Sequence, residues 1–268
     1  MLAIRHRIDL NYRIDGSGEP ALLLFNGATL PLEFWDPVVE MLSEHFTIVR
    51  FDQRNAGATS YEGSFTLADV AADAASLLDH LRLDEAVVIG HAWGGRVAQL
   101  FARDYPHRVR ALVICATGGQ LPAALDPDVT SRMRDAARER DRETWSRALE
   151  DAFCADGFST REPHTFNAIA DLLWDTPPNR SARWDARACP SPGYWGLWPG
   201  PALLLYGRQD KNGTPENAEN LQRTLADSRL VFFDDAGHFV VRERPVEVAS
   251  AITSLCNALN DSGSGERT

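Results

Sequence analysis

The sequence holds little sulfur, and its cysteines are not arranged in pairs. The four cysteines, Cys115, Cys154, Cys189 and Cys256, show neither a C-x-x-C nor a Cys/His spacing, which excludes the common zinc and redox motifs. They read as reduced, mostly buried thiols. The seven histidines are scattered, with no H-x-x-x-H pair beside a glutamate, so no metal is expected. No apolar run reaches the roughly 18 residues that a membrane span needs. The opening "MLAIRHRIDL" lacks the apolar stretch and small-residue cleavage site of a secretory signal. The expected location is therefore cytoplasmic, with no membrane partner.

Positive charge is also scarce. Lys and Arg total 27 against 38 Asp and Glu, a net charge of −11. Binding to phosphate backbones needs a basic surface, so nucleic acid is excluded as a partner. One stretch, "SRMRDAARERDRETWSR" (131–147), is rich in arginine, but acids alternate with the arginines. It reads as a solvated helix face with i,i+4 ion pairs.

The chain's 268 residues suit one large domain with an insertion better than two full domains. "LAIRHRI" and "LNYRID" predict a two-stranded start, closed by the turn "DGSGEP". Continuous apolar strands follow at "ALLLFN" (21–26), "TIVRFD" (47–52), "AVVIGH" (86–91) and "VRALVICA" (109–116). Helices separate them. One is "LADVAADAASLLDHL", which places Leu67, Val70, Ala71, Ala74, Leu77, Leu78 and Leu81 on one face. Strands without polar alternation, spaced by helices, predict a parallel sheet covered on both sides.

The rhythm stops at residues 118–199, which hold helical stretches, proline clusters and five of the seven tryptophans. It resumes with "ALLLYG" (202–207), "RLVFFD" (229–234) and a final helix "PVEVASAITSLCNALN". The expectation is an α/β fold with a mostly parallel, eight-stranded sheet. Residues 1–117 and 200–260 form its core, 118–199 a helical lid, and 261–268 a disordered tail. The chain shows no internal repeat.

Three segments carry chemistry. In "IGHAWGG" (89–95) a strand runs through Gly90-x-x-x-Gly94 into a helix. Small residues two before and two after the centre allow a sharp turn that lifts the central side chain, Ala92, off the sheet. The same spacing also fits a tight βα turn with no function. "LLLYGRQDKNG" then places Asp210 beyond one strand, and "FFDDAGHF" places His238 beyond the next. Taken singly, each could be an ordinary loop residue. Together they converge at the carboxyl edge of a parallel sheet, in the order centre, acid, histidine. In "FNGATLPLEFW" (25–35) the amide of Ala28, with that of Trp93, is placed to hold a developing oxyanion. Gly27 permits the close approach.

With these residues the chain resembles the α/β-hydrolases, in particular the 3-oxoadipate enol-lactonase branch. "NGATLPLEFWDP" fits that branch's Asn-containing loop. "DQRNAGAT" (52–59) fits its D-x-R-x-x-G-x-S pattern with Thr59 in the last place, and "AGHFVVRERPVEV" fits its His loop. The resemblance runs through residues 20–116 and 200–258. It implies a hydrolase of a small ester or lactone without a cofactor, acting on a small-molecule substrate as a monomer or homodimer. Asn26, Gly27, Trp184 and Phe239 are its expected substrate contacts.

The departure is Ala92, where the family carries a nucleophile. A methyl group cannot attack a carbonyl. Three readings stand. A serine enzyme has had its nucleophile replaced. A His238–Asp210 dyad works alone, either activating water or taking a proton from a carbon acid in lyase or dioxygenase-like chemistry. Or the chain is a non-catalytic binding protein whose tryptophans hold an apolar ligand. Cys115 reads as core. His91 is expected to face away from the site. Trp93 either walls the pocket or packs under the lid. Trp145, Trp174, Trp195 and Trp198 read chiefly as the insertion's own core.

Overall fold

The computed structural model describes residues 2–4, 8–174 and 193–264. The chain opens with β1 (Leu2–Ile4), β2 (Ile8–Leu10), β3 (Tyr12–Asp15) and β4 (Ala21–Phe25). It continues through α1 (Asp36–Leu42), β5 (Thr47–Phe51), α2 (Leu67–Leu81), β6 (Ala86–His91), α3 (Trp93–Asp104) and β7 (Val109–Cys115). The insertion carries α4 (Pro127–Glu139), α5 (Arg142–Phe153), α6 (Phe158–Arg161) and α7 (Pro163–Trp174). Then come β8 (Pro201–Gly207), α8 (Pro215–Thr224), β9 (Asp227–Phe233), α9 (Val240–Glu243) and α10 (Pro245–Ser264).

The main sheet has seven strands in the order β3-β5-β4-β6-β7-β8-β9, not eight. β3 pairs antiparallel with β5 and the other pairs are parallel. The difference arises at Asn11. Its amide donates to Thr59 Oγ1 at 2.9 Å and its side chain to Asp52 at 2.7 Å, so the chain leaves one pairing before it enters the next. β2 therefore pairs with β1 in a separate two-stranded ribbon. The far end of the chain also differs. α10 runs to Ser264, so residues 261–264 are helical rather than part of a disordered tail.

Alternate residues of each strand fill opposite faces. Leu23, Phe25, Val88, Leu112 and Leu204 pack with α2, α3 and α8, while Leu22, Leu24, Val87, Val113 and Leu203 pack with α1, α9 and α10. This two-sided burial explains why the strands read as unbroken apolar runs. α2 begins at a capping box, with Thr66 and Asp69 bonded reciprocally. The arginine-rich stretch forms two helices, because Arg140 takes a left-handed conformation and Asp141 caps α5. It does carry helix-spaced ion pairs, Arg138 with Asp135 and Arg147 with Glu143. No helix among the described residues is long and apolar enough to cross a membrane.

The "DQRNAGAT" motif ties the loops together. The Asp52 carboxylate accepts from the amides of Leu32 and Ala58, each at 2.7 Å. Gln53 donates to Asn26 O at 3.0 Å. Arg54 forms a fully buried bidentate pair with Asp73 of α2, at 2.6 and 2.9 Å. The motif therefore holds the loop after β5 against the loop after β4, at the edge of the site.

Candidate active site

From β4 the chain passes to β5 on one side and returns to β6 on the other. The crevice where the connections part lies at the carboxyl ends of β4 and β6, the usual place for a site in such a sheet. Ala92 stands there. It adopts φ 50° and ψ −116°, a strained conformation for a residue with a side chain, costing on the order of 1–3 kcal/mol. Its amide donates to Cys115 O at 2.8 Å. A Cβ on Gly90 would come within 2.5 Å of Gly94 O, and one on Gly94 within 2.3 Å of the backbone oxygens of Phe25 and Asn26. Both glycines are thus required by close backbone approach.

Asp210 and His238 meet as expected. His238 Nδ1 lies 3.0 and 3.1 Å from the two carboxylate oxygens, and both residues are buried. Asp210 Oδ1 also accepts from the amides of Asn212 and Gly213, each at 2.8 Å. On the other side of the ring, Asn212 Nδ2 is 3.1 Å from His238 Nε2. In the sequence Asn212 is marked only by its place two residues beyond the acid, in the turn "DKNG".

His91 does not face away. It lies in the wall of the cavity, with Nε2 2.8 Å from His238 O and its ring centroid 5.2 Å from that of His238. Full burial, reinforced by His238, lowers its pKa to about 3, so it stays neutral. Asn26 is not at the cavity wall. Its side chain donates to Leu30 O and Phe51 O at 3.1 Å and accepts from Trp35 Nε1 at 2.8 Å. A buried amide with those bonds holds the loop and has little left for a ligand.

Glu243, which no sequence motif marks, clamps the base. Its carboxylate accepts from the amides of Gly237 and Phe239, which flank His238, at 3.0 Å each, and from Ala155 of the insertion at 2.9 Å. Burial pushes its pKa up to about 7 in spite of those three donors. The folded state thus holds a proton that the unfolded chain releases near 4.5. Glu243's contribution to stability is full below that value and is lost as the pH rises through about 7. Glu243→Gln is expected to flatten the fall in unfolding free energy across this window. It should also cost about 1–3 kcal/mol for the amide left without an acceptor. Urea titrations at stepped pH measure both effects, and an unchanged slope would show that Glu243 does not titrate there.

Ala28, Gly27, Ala92, Trp93, His238 and Phe239 all line one cavity of ≈ 570 Å³. The insertion supplies much of its wall, including Trp145 and Trp174, whose rings meet edge-on at 5.1 Å. These two tryptophans therefore do more than pack the insertion. Trp195 and Trp198 instead pack on the α3 and α8 side of the sheet. Trp93 both lines the cavity and packs in that core. Trp184 and Cys189 lie outside the described residues. Cys115 is buried, and burial raises its thiol pKa far above neutrality, so it offers no substitute nucleophile. Among the described residues no group of three or more His, Cys, Asp or Glu is placed to hold a metal.

A strained elbow at the switch point, an acid after β8 and a histidine after β9 define a protein of hydrolase architecture. The chain belongs to the α/β hydrolase fold family, whose model matches residues 20–245. It is 28% identical to the pimeloyl-(acyl-carrier protein) methyl ester esterase of Cronobacter sakazakii, over 92% of this chain and 96% of that one. It superposes on the enol-lactonase of Burkholderia xenovorans LB400 with a TM-score of 0.79 at 25% identity, covering 94% of this chain and 98% of that one. A poly(3-hydroxyalkanoate) depolymerase of Ectopseudomonas oleovorans is 38% identical over 97 residues, 36% of this chain and 34% of that enzyme's length. These three relatives carry hydrolase names, with an esterase standing beside an enol-lactonase among them.

Proposed function

We propose that the protein hydrolyses a small, largely apolar ester or lactone that carries a carboxylate, using water activated by His238 in the space above Ala92. The observation that carries this reading is the two-oxygen contact of Asp210 with His238 Nδ1 in the wall of the cavity that Ala92 also lines. A carboxylate held on Nδ1–H leaves the Nε2 lone pair as the base. Water donates to Nε2 and attacks the carbonyl. The amides of Ala28 and Trp93 receive the oxyanion, and the imidazolium returns its proton to the leaving oxygen. Such a base typically contributes about 10²–10⁴ in rate, and an oxyanion donor about 10²–10³. The names of the esterase and enol-lactonase relatives support the bond type.

The carboxylate follows from the walls. Arg96 and Arg140 are the only charged residues lining the cavity among the described residues, in a chain of net charge −11. Arg96 bonds only Gly118 O, at 3.0 Å, among the described residues. It lies one helical turn beyond Ala92, within reach of the far end of a short acid. Arg140 stacks over Trp174 at 4.9 Å. Met133, Leu149, Phe153 and Leu173 make the rest apolar, where an anion needs a cationic partner.

The test compares mono-p-nitrophenyl adipate with its neutral methyl ester. The protein is expected to prefer the anion in kcat/KM, and Arg96→Gln to reduce that preference about tenfold, the size of a charge-assisted hydrogen bond, with the neutral ester unaffected. Absence of turnover with both compounds, while a carboxylate still binds and quenches tryptophan fluorescence, would replace the enzyme reading with a binding one.

A further inference from the structure

We infer that Asn212 is the water-positioning residue of this site and makes the contact with the base that a nucleophile's hydroxyl would otherwise make. The inference rests on the hydrolase reading above. A buried imidazole needs partners at both nitrogens. Nδ1 has Asp210, but Ala92 offers Nε2 nothing. The amide nitrogen of Asn212, at 3.1 Å, supplies the missing contact. With Nδ1–H on the carboxylate, Nε2 accepts and the amide donates.

The placement is built into the loop. The Asp210 carboxylate accepts from the Asn212 amide at 2.8 Å, so the acid that orients the base also orients Asn212. The backbone oxygen of Asn212 packs on Gly118, where a Cβ would come within 2.7 Å. Asn212 lines the cavity, and its Oδ1 has no hydrogen-bond partner among the described residues. The side chain therefore presents one group to the base and an open acceptor beside it.

When substrate is bound, water displaces the Asn212 Nδ2–H from the Nε2 lone pair. One hydrogen points to Nε2 and the other to Asn212 Oδ1, which leaves an oxygen lone pair for the carbonyl. As the new C–O bond forms, Nε2 takes the first proton and the carbonyl electron pair moves to oxygen. Collapse breaks the bond to the leaving oxygen, which receives the proton from Nε2. Ester and water become acid and alcohol, with no other reactant.

The test uses the protein, Asn212→Ala, Ala92→Ser and the double variant on one p-nitrophenyl ester. In the Ala92 background, Asn212→Ala is expected to lower kcat about 10–30-fold with KM nearly unchanged, the mark of an interaction made in the transition state. In the Ala92→Ser background the hydroxyl supplies both the contact and the nucleophile, so acylation should slow less than about threefold. Equal losses in the two backgrounds, or a loss expressed in KM, would reduce Asn212 to loop support and overturn the inference while the hydrolase reading stands. No turnover by the Ala92 protein beside an active Ala92→Ser variant would overturn water attack itself, and the role of Asn212 with it.

Discussion

Ala92→Ser is expected to convert a linear time course into a burst of about one equivalent of p-nitrophenol per site, followed by a steady state at least about 10²-fold faster. Removing the serine of a working triad costs about 10⁶ in turnover, which bounds the gain from above. The frame is in place to use the hydroxyl. The elbow already holds residue 92 at φ 50° and ψ −116°, so the substitution adds one oxygen to a Cβ that is already positioned. Gly90 and Gly94 keep the turn tight, and the Asp210–His238 pair is formed without it. The new hydroxyl must displace the Asn212 amide from Nε2, an exchange of one hydrogen bond for another at little net cost. Stopped-flow release of p-nitrophenol and a mass shift of the trapped acyl-enzyme report the change. No burst and no gain would mean that the frame no longer supports a nucleophile at residue 92, and water attack would then stand or fall on the Ala92 protein's own turnover and its dependence on His238.

The strands, their parallel order and the triad-like sequence of Ala92, Asp210 and His238 were legible because each is written locally. A buried strand is an apolar run, an elbow is a glycine spacing, and a loop after a strand lies at the sheet's carboxyl edge. What escaped was written between distant segments. His91 bonds a residue 147 positions away, and strand alternation alone does not say that its ring ends beside His238. Asn26 looked like a ligand contact because it sits beside the oxyanion loop. Trp35, Leu30 and Phe51, which use up its side chain, meet it only in the fold. Glu243 carries no signal of its own in "VVRERP", because its partners, the amides of Ala155, Gly237 and Phe239, are brought to it only by the fold. Arg140 belongs to a stretch whose composition says solvated surface, yet the left-handed residue that breaks the stretch in two is the one that turns toward the cavity.

His238→Ala is expected to lower kcat of the Ala92 protein by about 10²–10⁴, the share of a general base, with KM little changed under the proposal that the arginines and the apolar wall hold the substrate. The variant also leaves the Asp210 side chain, fully buried, without its imidazole partner. Two amides, those of Asn212 and Gly213, still bond it, so the fold should lose only about 1–3 kcal/mol, the cost of an unmet buried polar group. Thermal unfolding measured beside the kinetics separates the two effects. Imidazole added to the variant should enter the vacated space and recover part of the rate, saturating with concentration, whereas a misfolded site would not respond. The rescue bears on the remaining chemical question, since free imidazole can replace a base but not a nucleophile's hydroxyl. If the rate recovers in the Ala92 background, the histidine's proton transfer to and from water is the catalysis. If turnover is indifferent to the loss of His238, the dyad is an inherited frame and the cavity is a binding site.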